Sequence, residues 1–333
     1  MTLELSLSSY RADVTRPLMQ GAVEPEGIDL TTISEYPPRR HRRFFRHGEF
    51  DAAEVSLASY LAAQAEPQGY PFTAIPVYPE RKFRHSFFYK PTDTDVADPS
   101  ELAGKAVGIQ SWQTTANVWL RGALQDQYGL DLESVTWYRR REDDAAAPVP
   151  DRFDVRPLPT AENQDAVEAT DEFERALFSG TLDAAMDPAG SVFNRVQESP
   201  AAELFFEDPI AEERAYYEET GIYPPMHVVA IRDEILEANP WVAVSLYDAF
   251  VESRDRCFER NRSPSAKTSL AWSHLYRHEQ RAVLGSGAWE YGLTDRTRHE
   301  LQTFSRYSAE QGVTDREYEP TELFFETTHD LSD

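Results

Sequence analysis

Four side chains of this chain have types suited to proton transfer and anion capture at the ends of apolar runs: Glu54 in FDAAEV, Arg84 and His85 before SFFY, and His227 ahead of VVAI. An imidazole titrates near neutrality and can give or take a proton, and a carboxylate can accept one, so these residues suit general acid–base work. Arg84, Arg16, Arg11 and Arg121 add guanidinium groups able to clamp a carboxylate through paired hydrogen bonds. SWQTT, with Gln113, Thr114 and Thr115, reads as a helix start rich in hydroxyls and amides, and Ser56 opens another; such starts favour anions. Plainer readings stand beside these: a histidine bonded for structure, arginines on the surface, serines that only cap helices.

Other chemistry is poorly served. There is no phosphate-cradling glycine loop, no G-x-G-x-x-G, no G-x-S-x-G and no H-E-x-x-H. His274 and His278 stand four apart beside Glu279, which is helical metal spacing, but no third ligand clusters with them, so they read as a solvated helix face. No metal and no cofactor is expected. The basic run Arg39, Arg40, His41, Arg42, Arg43 and Arg46 invites a nucleic-acid reading, yet such clusters are usually solvated faces with the neighbouring aromatics turned inward. Cys257 is the single cysteine, sits in a helical pattern and reads as a small buried hydrophobe.

The elements that must position these residues alternate between strand and helix patterns, which points to an α/β class. Strands are expected over 3–9, 27–33, 50–55, 72–78, 86–89, 106–109, 182–185 and about 204–206, with a buried strand in GIYPPMHVVAI. Helices are expected over 115–128, 171–179, 209–219, 240–260 and 295–310. Residues 139–170 lose periodicity and read as an acidic insertion with a short hairpin around 153–158. A chain of 333 residues that is 41% hydrophobic can bury two cores. Crossings near Lys90 and Tyr223 give a first lobe of 1–90 plus 224–333 and a second of 91–223.

With 33 basic against 58 acidic residues, the net charge of −25 argues against nucleic acid or an anionic membrane as partner. Acidic residues in such excess, with few lysines, suit a protein kept soluble in concentrated salt, and a halophilic source is expected. The N-terminal segment reads as a strand and not as a signal peptide, and no apolar run approaches a membrane span, so a cytoplasmic protein is expected.

Six blocks in order, DVTRPLMQGAVEPEGIDL, FDAAEVSLASY, IPVYPERKFRHSFFY, GIQSWQTTANVWLRGALQDQYGL, YYEETGIYPPMHVVAIR and PWVAVSLYDAF, resemble the 4,5-dihydroxyphthalate decarboxylase family, a relative of the type II periplasmic binding proteins. The resemblance covers most of the chain apart from the acidic segment. It implies a two-lobed type II periplasmic-binding-protein-like fold with a ligand cleft between lobes. It also implies metal-independent loss of CO2 from a small aromatic dihydroxy-diacid, giving 3,4-dihydroxybenzoate. On that basis His85 or His227 delivers a proton to the ring, Glu54 accepts from a ring hydroxyl, Arg84 with Arg16 holds carboxylate, and the Thr114–Thr115 helix start takes the second one. Ser56, Gln113 and Arg121 complete the expected substrate-binding set. A non-catalytic small-anion binding protein, of receptor or sensor type, is the alternative. Homo-oligomerisation stays open.

Overall fold

The computed structural model describes residues 2–66, 69–145, 148–158, 166–262 and 269–332, with side chains from residue 172 onward in the helix that starts at Ala166. The chain begins β1 (Leu3–Ser9), α1 (Arg16–Met19), β2 (Ile28–Ser34), α2 (Pro37–His47), β3 (Ala52–Ser56), α3 (Leu57–Ala65) and β4 (Phe72–Ile75). It continues through β5 (Phe88–Pro91), β6 (Ala106–Ile109), α4 (Thr115–Tyr128), β7 (Thr136–Arg139), β8 (Asp154–Pro157), α5 (Ala166–Phe178), β9 (Ala184–Met186), α6 (Gly190–Glu198), β10 (Ala202–Leu204) and α7 (Pro209–Thr220). Then follow β11 (His227–Arg232), α8 (Asp233–Ala238), α9 (Trp241–Arg262), α10 (Ser273–Leu284) and α11 (Asp295–Glu310). Two compact units result: Met1–Lys82 with Thr220–Thr303 and Tyr318–Asp333, and Phe83–Glu219 with Phe304–Glu317.

The first unit is built on a five-stranded sheet ordered β2-β1-β3-β11-β4. Strands β3 and β11 lie inside it and are buried along almost their whole length, which is why AAEVS and HVVAIR read as continuous runs and not as alternating ones. β1 runs parallel to β2 and β3, whereas β11 runs against β3 with His227 opposite Ser56 and Val229 opposite Glu54. The end of β1, the end of β3 and the start of β11 therefore meet at one edge of the sheet. That edge collects Ser9, Ser56 and His227.

The second unit carries a six-stranded sheet ordered β10-β5-β9-β6-β7-β8. β9, β6, β7 and β8 are mutually parallel, so Asp187, Gln110 and Arg140, each directly after a strand, share the carboxyl edge with the start of α4. Its core includes Tyr89, Phe173, Leu177, Leu182 and Val192. Gly108 in β6 lets this core press on the strand: a Cβ there would stand 2.7 Å from both Leu182 and Phe173.

Several expectations need correcting. Among the described residues no hairpin forms around 153–158; β8 pairs in parallel with β7. The strand expected from Ser86 begins at Phe88, because His85–Phe87 forms a 3₁₀ turn in which Glu213 takes both the amide and the hydroxyl of Ser86. The helix expected from Asp171 starts at Ala166. The crossings fall after Lys82 and Glu219, where the sequence suggested 90 and 223, and Phe304–Glu317 groups with the second unit. Residues 146–147 and 159–165 of the acidic segment lie outside the described residues. Among the described residues, no helix is long and apolar enough to cross a membrane.

Candidate active site

At the sheet edge of the first unit, a buried carboxylate organises the polar groups. Glu54 is 2% exposed and both of its carboxylate oxygens are engaged. Its Oε2 accepts from the Ser9 hydroxyl at 2.6 Å and the Tyr10 amide at 3.0 Å. Its Oε1 lies 2.6 Å from His227 Nδ1 and 3.1 Å from a terminal nitrogen of Arg40. Burial works against the charge on Glu54, but Arg40, the His227 hydrogen bond and the Ser9 hydroxyl together outweigh it and hold the carboxyl well below the usual carboxylate range.

Arg40 is fully buried and arrives from α2, where Pro37 and Pro38 open the helix and Gly48 closes it in the left-handed conformation. Its Nε donates to the backbone oxygen of Glu54 at 2.6 Å and its other terminal nitrogen to the backbone oxygen of Glu35 at 3.0 Å. His41, the next residue, meets the His227 ring edge to face at a centroid distance of 5.1 Å. The solvated face expected for this helix therefore fails at Arg40 and His41. Both fall on the stripe of Phe44 and Phe45, four residues on, and that spacing was the signal available in the sequence.

Glu80 was not anticipated either. It follows β4 in a loop that runs beside the approach to β11, tied by Met226 amide to Glu80 carbonyl at 2.8 Å and Lys82 amide to Pro224 carbonyl at 3.0 Å. This pairing brings Glu80 Oε2 to 3.3 Å from His227 Nδ1. Donor atoms of Glu54, Glu80 and His227 all lie within 4.8 Å of one another, a spacing compatible with a metal ion. Arg40 already supplies a fixed cation at Glu54. Ser56 caps α3 by accepting from the Ser59 amide at 3.4 Å. Arg16, at the start of α1, and Arg11 are exposed.

The second unit holds the other expected residues in two places. At the start of α4, Thr114 is the cap residue but spends its hydroxyl on Ser111 at 2.9 Å and Gln110 at 3.2 Å. Gln113 is buried, donating its amide to Asp143 at 2.7 Å and accepting from the Ala145 amide at 3.3 Å, and Thr115 is buried beside it. Burial raises the Asp143 carboxyl, with the Gln113 amide and Ser111 hydroxyl opposing. Arg140 and Asp187 form a buried pair at 2.5 Å on the same edge.

Arg121 does not join them as a clamp. It lies inside the unit with its guanidinium 3.8 Å from the Trp112 ring centre and bonded to Gln311 and the Trp112 carbonyl, so its planar charge is used in packing. Burial lowers its pKa to about 9, opposed by Asp143. His85 is also enclosed, against Phe206 and Tyr216, and neither ring nitrogen makes a well-formed hydrogen bond. Burial pushes its pKa down to about 4, with Gln127 offsetting only part. Arg84 is buried and rests over the Phe87 ring at 5.3 Å.

No family model matches the chain. Among solved structures, the aliphatic sulphonate binding protein SsuA of Escherichia coli aligns with a TM-score of 0.57 at 10% identity, covering 98% of this chain and 92% of that one. The alkanesulfonate-binding protein SsuA of Xanthomonas axonopodis aligns at 0.53 with 13% identity, covering 97% and 98%. These likenesses give the fold, which is the two-lobed α/β fold of periplasmic binding proteins. A 4,5-dihydroxyphthalate decarboxylase of Pseudomonas putida is 33% identical over 210 residues, 62% of this chain and 78% of that protein. One of Comamonas testosteroni is 31% identical over 326 residues, 97% of this chain and 96% of that protein. Sequence likeness running almost end to end places the chain in the 4,5-dihydroxyphthalate decarboxylase family, a family of carboxy-lyases.

Proposed function

We propose that this protein removes one carboxylate of a 4,5-dihydroxyphthalate-like diacid, yielding 3,4-dihydroxybenzoate and CO2. The observation that carries this reading is the His227–Glu54 pair: in a chain of this family, an imidazole is bonded through Nδ1 to an ionised, immobile carboxylate.

Direct loss of CO2 from an aryl carboxylate leaves an in-plane carbanion that the ring cannot stabilise. Protonating the ring carbon that bears the carboxylate avoids it. His227 gives a proton to that carbon, the hydroxyl para to it releases its hydrogen to a carboxylate, and the ring becomes a dienone. The carbon–carbon bond then breaks, its electron pair restores the aromatic ring, CO2 leaves, and the hydroxyl regains its hydrogen. The net consumption is one proton per turnover.

Two role assignments follow from the chemistry of the groups. Burial lowers the His85 pKa to about 4, so its acidic form is scarce near neutral pH, and His227 is assigned the donor role. Glu54 has both oxygens engaged, so it orients His227, and Glu80, whose side chain is 36% exposed, is the neighbouring carboxylate suited to accept from the hydroxyl. Arg84, Arg16, Ser56 and the Gln113–Thr115 helix start remain the proposed carboxylate-binding groups.

The test is product formation from 4,5-dihydroxyphthalate in molar KCl, followed by absorbance and chromatography. His227→Asn should lower turnover by about 10²- to 10⁴-fold, the usual worth of a positioned acid, while His85→Asn changes it less than tenfold. A protein whose melting temperature rises with the diacid while no 3,4-dihydroxybenzoate forms is a binding protein, and the decarboxylase reading is then wrong.

A further inference from the structure

Arg40 is fully buried and pairs with the same Glu54 oxygen that lies against His227 Nδ1. We infer that Arg40 is a positioning residue which, through Glu54, locks neutral His227 in the Nδ1–H tautomer and so reserves Nε2 for proton exchange with the substrate. The inference rests on the function proposed above for the same site and assigns it a residue and a working atom.

The geometry is a chain of fixed contacts. Arg40 is anchored to main chain at both ends of its fork, by the Glu54 carbonyl at 2.6 Å and the Glu35 carbonyl at 3.0 Å. Its remaining nitrogen stands 3.1 Å from Glu54 Oε1, and neither side chain is more than 3% exposed. The same guanidinium thus binds the backbone of the residue whose carboxylate it balances. Ser9 and Tyr10 hold the opposite oxygen, so the carboxylate can neither rotate nor offer a different face.

An ionised carboxylate only accepts hydrogen bonds, so a 2.6 Å approach to Nδ1 requires the hydrogen to sit on Nδ1. The other groups facing the ring preserve this assignment. Glu80, from the loop after β4, lies 3.3 Å from the same Nδ1 and is an acceptor as well; the His41 ring, from α2, packs at right angles to it. Nε2 makes no hydrogen bond among the described residues and is not among the enclosed polar atoms. A lysine at position 40 would bring a charge but not the planar fork that reaches two carbonyls and a carboxylate together.

The experiment uses the full chain labelled with ¹⁵N-histidine, with His227 assigned by the loss of its signals in His227→Asn. At an alkaline pH where imidazoles are neutral, Nδ1 of His227 should resonate as a protonated nitrogen and Nε2 as an unprotonated one. In Arg40→Gln the two resonances should move toward a mixture of tautomers, with kcat falling at least about tenfold and KM nearly unchanged, and Arg40→Lys should restore only part of either. A wild-type spectrum with the hydrogen on Nε2 overturns the inference without any variant, which covers the case that Arg40→Gln does not fold. A folded Arg40→Gln that keeps the wild-type tautomer also overturns it, whether or not activity falls. Neither spectrum needs substrate, so a locked tautomer in a protein that releases no CO2 would sink the proposed reaction and leave the role of Arg40 standing.

Discussion

A buried ionisable group stays charged only where partners compensate it, and Glu54 and His85 show the two outcomes. Glu54 has Arg40, Ser9, Tyr10 and His227 around it and stays an anion; His85 has aromatic rings and gives up its charge. The sequence showed both as polar residues at strand ends but could not separate them, because what distinguishes them comes from elsewhere in the chain. Arg40 stands fourteen positions before Glu54, inside a run of basic residues that looked solvated. A stability consequence attaches to His85. Its folded pKa, about 4, lies below the ordinary 6.5, so between those values the unfolded chain binds more protons and stability rises with pH. The contribution is whole above 6.5 and is lost as pH falls toward 4, up to about 3 kcal/mol. Urea midpoints measured across that range should fall with acidification in the wild type and fall less steeply in His85→Asn; equal slopes would refute the assignment.

The elements around the site were legible where one period dominates. β3, β11, α4 and α9 could be read from apolar runs or a 3.6-residue stripe, and the strand ends carrying Glu54 and His227 came with them. β8 was not, because Asp154–Pro157 is a half-exposed strand whose pairing depends on β7 and not on its own pattern. Gly108 is a case where the sequence offers a glycine and only the packing explains it. Two side chains, Phe173 from α5 and Leu182, occupy the place its Cβ would take. Gly108→Ala should therefore cost about 1–3 kcal/mol, the usual range for overpacking, read as a lower denaturation midpoint. An unchanged midpoint would mean that the ring and the leucine move aside without penalty.

For the whole molecule, composition speaks about surroundings more than about architecture. A net charge of −25 repels itself in dilute buffer, and at about 1 M salt the screening length drops to about 3 Å. The melting temperature should accordingly rise steeply from low salt to molar KCl, with most of the gain surviving replacement of KCl by NaCl; a flat profile would remove salt as the reason for the acidic surface. The sequence put the crossings at the polar connector after Lys90 and the turn before His227, whereas the units divide after Lys82 and Glu219. The return of Phe304–Glu317 to the second unit was not visible in the sequence, since α11 runs from Asp295 to Glu310 with no break where the boundary falls.

The place of β11 has a consequence for how the protein is made. This strand fills the slot between β3 and β4, yet all of residues 83–219 are translated between β4 and β11. A nascent chain must therefore carry two apolar strands with unpaired edges while the ribosome builds the other unit, and that unit in turn waits for Phe304–Glu317. Neither body can be finished until the segments after Glu219 and after Thr303 have been made. The time these strand edges stay unpaired is thus at least the time taken to translate residues 83–226.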